Sequence, residues 1–320
     1  MTVKAQGLEH LSPVAFIARS ILQLGLGGRL LTTSQYQDRL GIGSGTVQKA
    51  LLELKKAGAV TLVSRGHQGT FVVAWDFPRL WDAARLPPVH ILLPPRGSLE
   101  ATLVASAMAR QCDEWGVVIT IGYLRGARSR LAAFAASEAD IVLLSAGSAQ
   151  VLLPEEDAAA GYTLLNVGEG TYYRPGSLVI VEKAGNPPAG RPRVGIDFHS
   201  SDHQRLTRAQ FPAADYDYVE TDFTLLPRAV FLGEIDTGVW HQEASLIPLD
   251  GVGLAVRSRL RSQAQRLANA ISSAVLVAQA DTPVARLMSL LDTCRIAQDI
   301  HLQDESAAHA LSSRLPIRFP

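Results

Sequence analysis

Two groups of side chains have the types and spacing to do chemistry. The first is Ser44, Gly45, Thr46, Gln48 and Lys49, preceded by Thr32 and followed by Arg65, Gly66, His67 and Gly69. A glutamine can pair with adenine through two hydrogen bonds, and a lysine can reach guanine or phosphate. An arginine beside glycines suits a phosphate or the minor groove. The second group is three short polar turns, Gly97–Ser98, Ser145–Gly147–Ser148 and Ser200–Ser201–Asp202, with Tyr123 and Asp236 near the ends of apolar runs. Hydroxyls and amides where a helix begins favour an anion. The same serines could equally be plain helix caps.

Catalysis has weaker support. The run His199–His203 places serine, aspartate and histidine side by side, but adjacency in sequence is not triad geometry. No second ligand cluster accompanies it to make a metal site. A nucleophile elbow, a paired-histidine zinc motif, a phosphate loop and a dinucleotide fingerprint are all missing. No catalytic residue, cofactor or metal is therefore assigned. A metabolite-processing enzyme, or a ligand-binding module with an accessory head, stands as the alternative reading.

The elements that must position the first group lie within residues 1–76. Val14, Ile17, Ala18, Ile21 and Leu22 have helical spacing behind Pro13, and glycines follow. Thr32 and Gln35 have capping-box spacing for a second helix, with Tyr36 and Leu40 inside. A third helix runs from about Ser44 to Ala57, with Val47, Ala50, Leu51 and Leu54 as its buried stripe. Two β-rich runs then flank the polar tip Ser64–Gly69. Helix, helix–turn–helix and wing, in that order, imply a head that lays one helix in a major groove.

The stretch Thr32–Val73 resembles the GntR-type winged-helix head. The resemblance rests on Leu40–Gly41, Thr46–Val47, Ala50–Leu51, Leu54, Gly58, Arg65–Gly66 and Gly69–Thr70–Phe71–Val72. Where that family usually carries two arginines on the recognition helix, this chain has Ser44 and Gln48. The wing is similar to that of the YhfZ group, in which such a head precedes a periplasmic-binding-like domain.

The second group needs a larger scaffold. Residues 77–88 read as a docked aromatic connector. From Val89 the signals alternate strand and helix, which implies an open α/β sheet with ligands beyond the strands' carboxyl ends. The expected layout is two lobes, lobe 1 at about 89–185 and 246–320 and lobe 2 at about 190–245. Antiparallel strands are expected around Arg174–Gly176, and a long helical tail at about Ser262–Asp281 and Val284–Gln298. Trp240 reads as a core residue rather than a ligand stack. The resemblance to type-2 periplasmic-binding domains implies a clamshell, with Asp236 near its hinge.

Charge follows the same division. Residues 1–76 hold eight Lys/Arg against four Asp/Glu, leaving 22 against 26 in the rest of a chain whose formal net charge is zero. That is the sign a nucleic-acid head needs. Cys112 and Cys294 read as packing thiols, and no apolar run has membrane length. The expectation is a cytoplasmic, palindrome-reading homodimer that binds double-stranded DNA and a small anionic effector.

Overall fold

The computed structural model describes residues 11–96, 98–153, 161–185, 190–242 and 249–300. The chain forms two compact units. One holds Met1–Val89, Ala109–Thr120 and Gln279–Leu291, and the other holds His90–Met108, Ile121–Ala278 and Asp292–Pro320.

The head is built from local signals. Helix α1 (Pro13–Leu24) starts at Ser12, whose Oγ accepts from the Ala15 amide at 3.2 Å, and buries Ile17, Ala18, Ile21 and Leu22. It ends at Gly25, φ +76°. Helix α2 (Thr33–Leu40) carries the Thr32/Gln35 capping box, and Gly41 closes it in the left-handed region. Helix α3 (Ser44–Lys56) buries Val47, Ala50 and Leu54. Strands β1 (Val60–Ser64) and β2 (Thr70–Trp75) pair antiparallel around a short 3-10 tip at Gly66–Gln68. Arg29 adds a bridge to Phe71, widening the ribbon.

The connector is helix α4 (Phe77–Ala84), capped by Asp76. Phe77, Leu80, Trp81 and Ala84 are buried, and Phe77 packs against Trp81 and Trp115. Arg19 of α1 donates to the carbonyls of Ala84 and Arg85 at 2.7 and 2.5 Å, fixing the connector to the head.

Two five-stranded sheets follow. The first has the order β4-β3-β5-β12-β6, made of β3 (Val89–Leu93), β4 (Ile119–Tyr123), β5 (Ile141–Ser145), β6 (Tyr162–Gly168) and β12 (Ala274–Gln279). Its helices are α5 (Leu99–Glu114), α6 (Ala127–Ala135) and α7 (Ala146–Leu152). The second has the order β11-β7-β10-β8-β9, made of β7 (Leu178–Lys183), β8 (Arg193–Ile196), β9 (Asp217–Glu220), β10 (Thr237–His241) and β11 (Leu254–Arg257). Its helices are α8 (Ser201–Gln210), α9 (Leu226–Leu232) and α10 (Ser262–Ala270). Helix α11 (Pro283–Leu290) comes after β12. Each sheet has parallel neighbours, β3 with β5 and β8 with β9 and β10, together with antiparallel ones. The chain passes between the sheets twice, after β6 and before β12. A winged helix–turn–helix head and a two-lobed α/β domain are thus the architecture, as the sequence implied.

Three local expectations are corrected. The runs flanking Arg174–Gly176 do not pair, because β6 and β7 belong to different sheets. The segment between them is a crossing, and its Tyr172 and Tyr173 amides bond the Ser272 carbonyl instead. The first stretch of the tail, Ser262–Asp281, is not helical throughout: its helix ends at Ala270, and residues 274–278 form a strand buried at every position. An apolar run buried on both faces has no alternation to separate it from a helix. Finally, β7 and β11 lie in the second sheet, so lobe 2 is larger than the 190–245 expected of it.

Candidate functional site

The α3 face is sorted by its period. Ser44, Gly45, Thr46, Gln48 and Lys49 are exposed, while the stripe beneath them is buried. Gly43 precedes the helix and supplies no side-chain cap. Thr32 is exposed and serves the α2 cap. Arg65, Gly66 and His67 are exposed at the wing tip, with the Arg65 guanidinium 4.9 Å from the Phe71 ring centre. That cation–π contact steadies the arginine on the wing. The Gly69 amide is engaged by the Gly66 carbonyl, and φ +98° at Gly69 is a conformation that glycine tolerates.

The second group converges in part. Ser145 caps α7 and Ser200 caps α8. The two helix starts face each other: Ser148 Oγ lies 3.2 Å from Ser201 Oγ, and Ser145 Oγ donates to Asp202. Gly147 lets them approach, since a β-carbon there would sit 2.4 Å from Ile271 Cγ2 and 2.7 Å from Asp202 Oδ1. Ser98 is an ordinary cap for α5, accepting from Ala101 at 3.3 Å. Gly97 lies outside the described residues. Tyr123 is exposed at the end of β4, with Arg96 over its ring at 5.0 Å.

Asp236 is not brought to this cleft. It precedes β10 and pairs with Arg193 at the start of β8, so it sits at the amino ends of these parallel strands, whereas Ser200 and Asp202 follow their carboxyl ends. The histidines of the His199–His203 run also separate. His203 is buried; its Nδ1 accepts from the Asp197 amide at 2.9 Å and its Nε2 faces the Val239 carbonyl at 2.8 Å. Burial lowers its pKa, so it is a neutral core histidine. His199 is exposed. Among the described residues no three His, Cys, Asp or Glu side chains could hold a metal together. Trp240 is buried in the second sheet's core with Val179 and Leu226.

The residues that close the cleft include several the sequence did not flag. Arg125, two residues past Tyr123, reaches Asp197 at 2.7 Å and Asp222 at 2.8 Å on the other lobe. Burial works to raise the Asp197 carboxyl, but Arg125 and the amides of His199 and Phe223 hold it below the ordinary range. Glu100, 1% exposed, binds Arg174 Nε at 2.8 Å and His241 Nε2 at 3.2 Å. Burial opposes its ionisation, yet His241 and Arg174 prevail and bring its pKa down to about 2. Asp202 behaves oppositely: burial raises its pKa despite hydrogen bonds from Ser145 and Tyr173. Arg130 is buried and bound to the carbonyls of Leu143 and Leu124. Between these groups the cleft leaves a void of about 30 Å³. A second pocket, of about 470 Å³, lies on the crossings between the sheets.

The architecture is thus a helix–turn–helix head in front of a two-lobed α/β domain with a polar inter-lobe cleft, which is consistent with a ligand-sensing transcription regulator. The chain belongs to the YhfZ family: the YhfZ C-terminal domain matches residues 76–305, and a helix-turn-helix domain matches residues 25–72. Uncharacterized protein YhfZ of Escherichia coli (strain K12) is 23% identical over 279 residues, covering 86% of this chain and 88% of that protein. The crystal structure of YhfZ from Shigella flexneri superposes with a TM-score of 0.53 at 19% identity, covering 76% of this chain and 98% of that one. The VFT2 domain of BvgS from Bordetella pertussis gives a TM-score of 0.46 at 14% identity, over 70% of this chain and 96% of that one. No helix among the described residues is long and apolar enough to cross a membrane.

Proposed function

We propose that this chain is a cytoplasmic, non-catalytic regulator that binds double-stranded DNA as a homodimer through a GntR-like head and changes operator affinity when a small metabolite enters the cleft. The observation that carries this reading is the sorting of α3, which turns Ser44, Gly45, Thr46, Gln48 and Lys49 outward beside the wing bearing Arg65 and His67. Gln48 supplies base contacts, while Lys49, Arg65 and the uncapped start of α3 supply phosphate contacts. Two heads on one duplex read a palindrome.

In the cleft, the opposed starts of α7 and α8 together with Arg125 favour an anionic group. Asp197 and Asp202 already hold these donors, so an anion enters as they yield. The lobes part to admit it, and only its differential affinity for the two arrangements shifts the population. The connector α4, bonded to α1 through Arg19, transmits the change.

The test is a mobility-shift titration across salt. Lys49→Ala with Arg65→Ala weakens binding to every sequence and lowers the salt slope by about four, one per phosphate contact over the two heads. Gln48→Ala changes base preference instead. Unchanged affinity and slope in the double variant sink the reading.

A further inference from the structure

The pocket of about 470 Å³ is bounded by both segments that join the lobes. One wall is the first crossing, from Glu169 to Gly176; the other is the end of α10 and the second crossing, from Ala268 to Ser272. Backbone bonds lace the two together. Tyr172 and Tyr173 donate to the Ser272 carbonyl at 2.8 and 3.1 Å, and the Gly170 amide donates to Ser272 Oγ at 3.3 Å. Small-molecule sites occupy about 300–1,000 Å³, so the volume suits one.

Four residues with planar polar groups line the pocket: Glu169, Arg174, Gln265 and Asn269. Gln265 Nε2 donates to Asn269 Oδ1 at 3.0 Å. That bond leaves the Gln265 oxygen as an acceptor and the Asn269 amino group as a donor. Adjacent hydroxyls, each able to donate and accept, match such planar edges. The remaining wall is aliphatic, from Pro175, Leu178, Leu260 and Ala268, and suits the CH face of a saturated ring.

Charge and ring geometry narrow the class further. The one guanidinium already binds Glu100, and Glu169 adds a carboxylate, so a net anion is disfavoured. Tyr173 is the aromatic lining residue, and its ring packs edge to face, at 76° and 87°, against Tyr172 and His241, which already take part of its surface.

We propose that this hinge pocket binds a neutral polyhydroxylated small molecule, of the sugar or polyol class, and that its occupant braces the two crossings and so sets the angle between the lobes. The site is separate from the cleft, and two residues link them. Tyr173 donates to Asp202 at 3.3 Å and Arg174 binds Glu100 at 2.8 Å, so an occupant touches side chains that hold the lobes together.

The full chain is titrated calorimetrically with D-glucose, D-ribose and myo-inositol, and in parallel with D-gluconate, glucose 6-phosphate and adenosine. At least one neutral polyol binds saturably with a Kd of about 1 mM or tighter, and the charged and aromatic probes bind more weakly. Asn269→Leu and Gln265→Ala, both at exposed positions, each weaken that binding at least about tenfold while leaving the melting temperature in place. No binding of any polyol up to about 10 mM overturns the proposal. So does a preference for the anions or the nucleoside, or polyol binding that survives both substitutions. Binding lost with Arg125→Ala but kept in both hinge variants assigns the polyol to the cleft and likewise overturns the hinge site. DNA binding is not read in this experiment, so its outcome is independent of the operator reading.

Discussion

Glu100→Gln isolates the buried carboxylate that joins the lobes. Glu100 is 1% exposed, and its pKa falls from 4.5 to about 2 because His241 and Arg174 face it. A depression of that size corresponds to about 3 kcal/mol of stability at neutral pH. The folded value lies below the unfolded one, so the contribution is complete above the unfolded pKa of 4.5 and lost as pH falls through about 2. The amide keeps the shape of the side chain but cannot ionise, so the variant lacks the contribution at every pH. Scanning calorimetry of the two proteins should show a gap of about 3 kcal/mol at pH 7 that narrows by about 2 kcal/mol on going to pH 3. A variant as stable as the parent at pH 7, or a gap constant over that range, refutes the assignment of Glu100 as an ionised inter-lobe anchor.

Asp202→Asn has the opposite sign. Burial raises the folded pKa of Asp202, so its ionisation costs stability as pH rises; the variant gains on the parent between acid and neutral pH, and a gap that widens the other way in urea titrations contradicts this. Gly147→Ala pushes a β-carbon to 2.4 Å from Ile271 Cγ2 and 2.7 Å from Asp202 Oδ1, at a cost of roughly 1–3 kcal/mol; amide exchange in α8 quickens, and unchanged protection counts against the contact. Gly28→Ala meets the Leu24 side chain and carbonyl at 2.7 and 2.9 Å, so the head loses roughly 1–3 kcal/mol and DNA affinity drops at elevated temperature; an unaltered melting profile rejects that packing.

The head was legible because its determinants are local. The Thr32 and Gln35 pair sits three residues apart, and the inward and outward residues of α3 follow one helical period. The cleft was legible only as far as the same local rules reach. Ser145, Ser148, Ser200 and Ser201 were found because helix starts after strands are polar, and the structure brings them together. Arg125 and Asp197 lie at the carboxyl ends of β4 and β8, where the same rule would have pointed. In sequence each reads as a solvated charge beside a turn; it becomes a site residue through a partner 72 positions away. Glu100 follows Ser98 by two residues, yet its partners stand 74 and 141 positions off. The placement of Asp236 near the hinge missed for a related reason: which end of β10 lies beside the crossing depends on its pairing with β7, which puts His241, not Asp236, opposite Leu178. The misread strand β12 is the same case, since its Val275 and Val277 face Leu144 and Val142 of β5, more than a hundred residues earlier. Caps, turns and amphipathic faces are settled within one or two helical turns, whereas burial of a charge is settled by what the other lobe supplies. The contacts that join the two lobes, Arg125 with Asp197 and Asp222 and Glu100 with His241, all run between distant segments, so they are the part of the cleft that local sequence conceals.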